Sequence, residues 1–268
     1  MKHLVLEESY YRFPQSELRE GELTFKECQQ LSREWITNLR RSRTGREEER
    51  LDLADVLEGC EPYERCGSAA CPMCSAATQR WMLEKLDELW PPSVPLVTST
   101  IIVPKTHRPI GELDSVKLAS VKRHFRRKFE AAGIGHLPVW GYVDISLNSH
   151  AQGEYDQHWS PHIAFVGPAE NKSEIDGLNA VLRRSGCVRR PIRCEPVKDR
   201  AAQLSYICKF RPVRRVDFEK SSSKARPTKY WLKPADNVEF LLWAEEYRPA
   251  DRCFMMNLRR RGDYIIEM

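Results

Sequence analysis

Apolar positions recur first at helical spacing and, from Val94 onward, in alternating strand and helix patterns. Phe25, Cys28, Leu31, Trp35 and Leu39 repeat every three or four residues behind a Thr24–Glu27 capping-box pattern, so a helix is expected there. Arg40 to Arg50 holds no apolar residue and reads as a solvated loop. A second helix is expected over Ser75 to Trp90, where Pro91-Pro92 stops it. Pro95 to Val103 is β-branched and alternating, the pattern of a strand. Asp114 to Ala132 reads as a helix with Leu118, Val121, Phe125 and Phe129 inward. Val139 to Leu147 is a second strand, with Val143, Ile145 and Leu147 on one face and Tyr142, Asp144 and Ser146 on the other.

The stretch Tyr155 to Gly167 (YDQHWSPHIAFVG) supplies a third strand. Alternation puts His162, Ala164 and Val166 on one face and Ile163 and Phe165 on the other. A hairpin built from Asn148 to Pro161 would bring Asp144 beside His162. Ser173 to Arg184 reads as a helix closed by Gly186, and Cys187 to Val197 as a strand. Asp199 caps a helical segment in which Ala202, Tyr206, Lys209 and Phe210 fall at helical intervals, ahead of Pro212. A capped helix over Asp236 to Tyr247 and a closing hairpin, FMMNL and YIIEM around Arg-Gly-Asp, complete the chain.

Composition adds bounds. At 268 residues the chain can bury a sizeable core, as one large domain or one domain with a small appendage. No run approaches the roughly 18 apolar residues a membrane span needs. The N-terminus MKHLVLEESYYRF does not read as a secretory signal, so a cytoplasmic protein without a membrane partner is expected. Net charge is +5, and the excess is unevenly placed. Lys117, Lys122, Arg123, Arg126, Arg127 and Lys128 share one helix, and Arg211, Arg214, Arg215, Lys220, Lys224, Arg226 and Lys229 form a second basic tract. Each could be a solvated face or a surface that contacts phosphates.

Two constellations carry chemistry. Cys60, Cys66, Cys71 and Cys74 lie within fifteen residues, and Cys71-Pro-Met-Cys74 has zinc-knuckle spacing, so a structural zinc site is expected; Cys60 is its least certain ligand. A histidine entering a core strand, as His162 does, is costly unless a hydrogen bond or a metal uses its nitrogens. Asp144 taken alone reads as a strand residue facing solvent. Tyr206 and Lys209 share a helix face, where packing and chemistry are both open.

The order of these pieces resembles the plasmid rolling-circle replication initiators, the Rep branch of the HUH endonucleases. CPMC followed by VTSTIIVP, the strand Gly-Tyr-Val-Asp144-Ile, the strand Pro161-His162-Ile163-Ala164-Phe165-Val166, and Tyr206-Ile-Cys-Lys209 stand in that family's order over Cys60 to Lys209, about half of the chain. The resemblance implies an α+β fold: a central antiparallel sheet with flanking helices, behind an N-terminal helical, zinc-bearing part. The division is residues 1–92 for the helical and cysteine-cluster region and 93–268 for the Rep-like domain.

It implies that Tyr206 attacks a phosphodiester of single-stranded or hairpin DNA, leaving a 5′-phosphotyrosine and a free 3′-hydroxyl. Lys209 would pair with the phosphate or lower the phenol's pKa. Two histidines and an acidic residue would hold Mg²⁺ or Mn²⁺. A homodimer and host replication proteins are partners such an initiator could take. The family's second histidine is Ala164 here. His158 could replace it only if Trp159, Ser160 and Pro161 fold back, because positions 158 and 162 of an extended strand lie about 13 Å apart. Three readings follow: an active nickase using His162, Asp144 and His158; a DNA-binding protein on the same fold without turnover; and an unrelated zinc-containing nucleic-acid binder.

Overall fold

The computed structural model describes residues 22–182, 184–185, 187–188, 190–217, 228–262 and 264–268. The helix α1, Phe25–Arg41, starts where the capping box places it. Thr24 Oγ1 accepts from the Glu27 amide at 3.1 Å, and the Glu27 carboxylate accepts from the Thr24 amide at 2.7 Å. Cys28, Leu31, Trp35 and Leu39 are buried along one stripe. The expected loop over Arg40–Arg50 ends sooner than its composition suggested, because α2, Glu47–Glu58, begins inside it. Three glutamates in the first turn suit the positive end of the helix dipole. The guanidinium of the buried Arg50 donates to the Leu39 carbonyl at 2.7 Å, capping the end of α1. The next helix, α3, Pro72–Leu89, leaves directly from Cys71, with Pro72 at the position where a missing amide costs nothing.

An eight-stranded sheet forms the centre, with the path β5-β1-β4-β3-β6-β7. In chain order its strands are β1 (Leu96–Ile102), the two-residue β2 (Arg108–Pro109), β3 (Val139–His150), β4 (His158–Pro168), β5 (Ile192–Pro196), β6 (Val213–Asp217), β7 (Thr228–Trp231) and β8 (Cys253–Met256). Four further helices pack around it: α4 (Leu118–Ala131), the single-turn α5 (Lys172–Asp176), α6 (Arg200–Ile207) and α7 (Pro234–Glu245). A separate hairpin, β9 (Leu258–Arg261) and β10 (Tyr264–Glu267), closes the described chain. The fold is therefore α+β. Its sheet is mixed rather than antiparallel, because the chain returns through β4, β5 and α6 to lay β6 parallel to β3.

The β3–β4 hairpin sets the geometry of everything below. Its register runs unbroken, with Tyr142 opposite Ala164, Asp144 opposite His162, Ser146 opposite Ser160 and Asn148 opposite His158. Even-numbered residues of this pair face α3 and α6, over a core of Trp81, Leu86, Trp140, Tyr142, Val166 and Leu204. Odd-numbered residues face α1, α2, α4 and α7, over the larger core that holds Val143, Ile145, Phe165, Phe125 and Phe129. Cys28, Trp35 and Leu53 of the first two helices belong to that same core as the sheet. Gly141 is required between the strands: a Cβ there would lie 2.6 Å from the Ala164 carbonyl oxygen and the Phe165 Cβ.

Several expectations change. Asp144 does not face solvent; α6 and the Phe210 turn cover it, and it is 2 % exposed. The helix expected from Ser173 shortens to α5 and a single 3₁₀ turn at Gly177–Ala180, and Gly186 lies outside the described residues. The strand expected from Cys187 begins only at Ile192. Lys220, Lys224 and Arg226 of the second basic tract also lie outside the described residues. No helix among the described residues is long and apolar enough to cross a membrane.

Candidate active site and metal centre

The four cysteines converge. Cys60 Sγ lies 3.7 Å from Cys74 Sγ and 3.5 Å from Cys71 Sγ, and Cys66 Sγ lies 3.7 Å from Cys74 Sγ. A tetrahedral ion with bonds of about 2.3 Å to sulfur sets sulfur–sulfur edges of about 3.8 Å. The Gly67 amide points at Cys74 Sγ from 3.3 Å, as knuckle amides do toward a thiolate. These residues could hold a metal ion such as zinc, Cys60 included.

From this cluster α3 runs under the sheet and reaches the helix that carries Tyr206. The buried Gln79 amide donates to the Ser205 carbonyl at 2.9 Å. Arg200 donates to Asp87 Oδ1 at 3.0 Å and to the Trp90 carbonyl. The Asp199 carboxylate accepts from the Ala202 amide at 3.0 Å and starts α6. Tyr206 thus sits in the last turn of a short helix fixed at both ends, and Lys209 follows just beyond its C-cap.

On the sheet side, Asp144, His162 and Lys209 meet. His162 Nε2 is 3.1 Å from Asp144 Oδ2, the Lys209 ammonium bonds the same oxygen, and the Ile145 amide donates to Asp144 Oδ1 at 2.8 Å. Arg252, fully buried, donates from Nε to the Val143 carbonyl at 3.0 Å, reaches to 3.8 Å from Asp144 Oδ1 and stacks over the Tyr142 ring. Burial would raise the Asp144 pKa, but Lys209, His162 and Arg252 outweigh it and hold the carboxyl well below the ordinary range. Burial lowers the His162 pKa, and the pull of Asp144 does not overcome it. His162 Nδ1 lies 2.9 Å from the Ser160 carbonyl, which can only accept, so Nδ1 carries a proton. Nε2 faces the Asp144 carboxylate, with the Lys209 ammonium on that same oxygen and the Arg215 guanidinium 3.5 Å from Nε2.

This arrangement bears on the divalent ion implied by the resemblance. Two donors are present, His162 Nε2 and Asp144 Oδ2, but Lys209 and Arg215 already stand on them. Ala164 offers no donor. His158 does not join them, because Trp159–Pro161 stays extended in β4 and carries its ring away to stack on His107 at 4.4 Å. The residues therefore do not make a three-ligand site for such an ion.

Tyr206 faces a groove of about 690 Å³ lined by Gln79, Ser205, Lys209, Arg211, Lys229 and Trp231. Its side chain is 40 % exposed, so the phenol is accessible. Lys229 Nζ donates to the phenol oxygen at 3.1 Å, and Lys209 lies 5.4 Å from the ring centroid. Burial of the hydroxyl opposes ionisation, yet Lys209, Arg215 and Lys229 together leave the phenol pKa below its ordinary value. Along the groove the Arg211 guanidinium stacks on Trp231 at 3.5 Å, and Trp231 is 59 % exposed.

The two basic surfaces part company. Phe129 of α4 packs on Phe165, so α4 covers the sheet face opposite Tyr206. Its cations are also partly committed: Lys117 pairs with Glu246 at 2.6 Å, Lys128 donates to the Val181 carbonyl at 3.3 Å and Lys122 is half-buried, leaving Arg123, Arg126 and Arg127 exposed. Arg211 and Arg215 belong to the Tyr206 side. Arg214 alternates to the other face, opposite Tyr230 and beside Asp236. Sequence reasoning missed Arg252, Arg215's place beside His162, and Trp231. Only Trp231, an aromatic residue just past the basic tract that ends at Lys229, left a signal that could have been read. The chain matches no protein-family model, no curated protein and no solved structure.

Proposed function

We propose that this chain is a Rep-like DNA strand transferase on an HUH-type fold, with zinc in its four-cysteine cluster and Tyr206 as nucleophile. The observation that carries the reading is the accessible Tyr206 phenol, bonded by Lys229 and flanked by Lys209 and Arg215, beside the buried Asp144–His162 pair. A phenol attacks a phosphodiester poorly unless its pKa is lowered and the charge growing on the phosphate is stabilised. The site offers both.

The Tyr206 phenol releases its proton to solvent, its oxygen forms a bond to phosphorus, and the 3′ oxygen leaves and takes a proton from solvent. The 5′ phosphate stays on Tyr206 until a 3′-hydroxyl reverses the step. Lys209, held on Asp144, and Arg215, held beside His162, form a fixed positive wall where such a phosphate would lie. Single-stranded DNA suits the groove, because a Trp–Arg stack beside cations grips any base by its face.

A second reading, DNA binding without turnover, is favoured by Ala164 in place of the family's second histidine. The two separate in one experiment. The full chain is incubated with a labelled pool of random single-stranded oligonucleotides, with and without Mn²⁺, and run in denaturing gels. The nickase reading expects label that stays on the protein through denaturation, whereas binding alone gives retention only in native gels.

A further inference from the structure

His107, His158 and Cys187 come from three distant parts of the chain and meet at the turn end of the β3–β4 hairpin. Their ligand atoms lie within 4.8 Å of one another. His107 Nδ1 is 3.7 Å from Cys187 Sγ, and the two imidazoles stack at 4.4 Å with planes 19° apart. The far nitrogens are already engaged. His158 Nδ1 lies 2.8 Å from the Asp156 carbonyl, and His107 Nε2 lies 3.1 Å from Ser160 Oγ. A carbonyl accepts only, so the His158 proton sits on Nδ1 and Nε2 carries a lone pair. That Nε2 is buried and has no hydrogen-bond partner. An imidazole whose far nitrogen is tied to a carbonyl, with its near nitrogen free, is the usual setting of a metal-bound histidine.

We propose that His107, His158 and Cys187 form a second metal site, a three-ligand site for zinc distinct from the four-cysteine cluster. Tetrahedral bonds of about 2.05 Å to nitrogen and 2.3 Å to sulfur set a nitrogen–sulfur edge of about 3.6 Å, close to the spacing found. One thiolate with two imidazoles is a soft to intermediate set that suits Zn²⁺ rather than Mg²⁺ or Ca²⁺. Three protein ligands leave the fourth position for water or a substrate group.

The site also has a route to the candidate active site. Ser160 takes His107 Nε2 on its hydroxyl and His162 Nδ1 on its carbonyl, so an ion fixing His107 would also hold the ring of His162. The ion would pin the start of β4 to the turn before β2 and to the segment before β5. The proposal does not depend on Tyr206 being a nucleophile.

The test is metal content of the full chain, purified with zinc present and dialysed against buffer without chelator. Wild type should retain a second equivalent of zinc that Cys187→Ser and His158→Asn both lose while keeping the first. X-ray absorption at the zinc edge should show nitrogen ligands in wild type and sulfur ligands alone in Cys187→Ser. Should Cys187→Ser fail to give a native circular dichroism spectrum, His107→Gln is read by the same two measurements. A wild type with only sulfur around zinc, or variants with unchanged zinc content, would overturn the site.

Discussion

Gln79 donates its side-chain amide to the main-chain carbonyl of Ser205, so the helix that leaves the cysteine cluster holds the residue just before Tyr206. A metal at Cys71 would fix the start of that helix, and Gln79 transmits the fixed position eight residues further on. Replacing Gln79 by Leu leaves the Ser205 carbonyl buried without its partner, at a cost of about 1–3 kcal/mol in stability. Adduct formation should slow by about 10- to 100-fold, because small displacements of a nucleophile are expensive. Thermal unfolding and single-turnover gels measure the two effects. A variant destabilised but fully active would show that α3 does not position the tyrosine.

Lys229 should set the pH dependence of the reaction. It bonds the phenol oxygen and helps keep the Tyr206 pKa below the ordinary value of about 10. Below that pKa the phenolate fraction, and with it the rate, rises with pH. Removing a positive charge raises the pKa, so Lys229→Met should move the rising limb of the pH–rate profile to higher pH, with the loss of rate recovered in alkali. A uniform loss at every pH would mean that Lys229 acts on DNA and not on the phenol.

Ala164 lies on the His162 face of β4, beside a cavity of about 230 Å³ shared with Thr100, Gln203 and Tyr206. An imidazole there would enter that cavity, on the side of the sheet that carries His162 and Tyr206. Ala164→His should tighten Mn²⁺ binding in calorimetry and make adduct formation respond to the metal. A variant that folds but binds Mn²⁺ no better than wild type would show that Lys209 and Arg215 keep the ion out even with the ligand restored.

Because α4 covers the far face of the sheet, the groove should dominate contact with single strands. Trp231→Ala is expected to weaken oligonucleotide affinity by about 1–3 kcal/mol, roughly 5- to 150-fold. Changing Arg123, Arg126 and Arg127 together to Glu should cost less and act through the salt dependence. Fluorescence anisotropy across a salt series ranks the two, and the reverse order would move the DNA path onto α4.

Much of this was legible in the sequence because it depends on local rules. The Thr24–Glu27 box, the stripe of α4, and the alternation that put Asp144 and His162 on one sheet face follow from helix and strand periods alone. The cysteine spacing foretold a cluster. Other features depend on who covers whom. Asp144 looked solvated until α6 and the turn at Phe210 closed over it, and Arg252 reaches the site only through tertiary packing. The α2 boundary was lost because its first turn is all charge. His158 was linked to the wrong cluster because strand geometry alone says nothing of His107 and Cys187, brought there by two long connections.

Digestion of the DNA–protein adduct followed by mass spectrometry locates the modified residue. The expected result is a single nucleotide-bearing peptide containing Tyr206, its phosphate on the phenol oxygen, and no adduct at all from Tyr206→Phe. Adduct on another residue, or undiminished adduct from Tyr206→Phe, would contradict it.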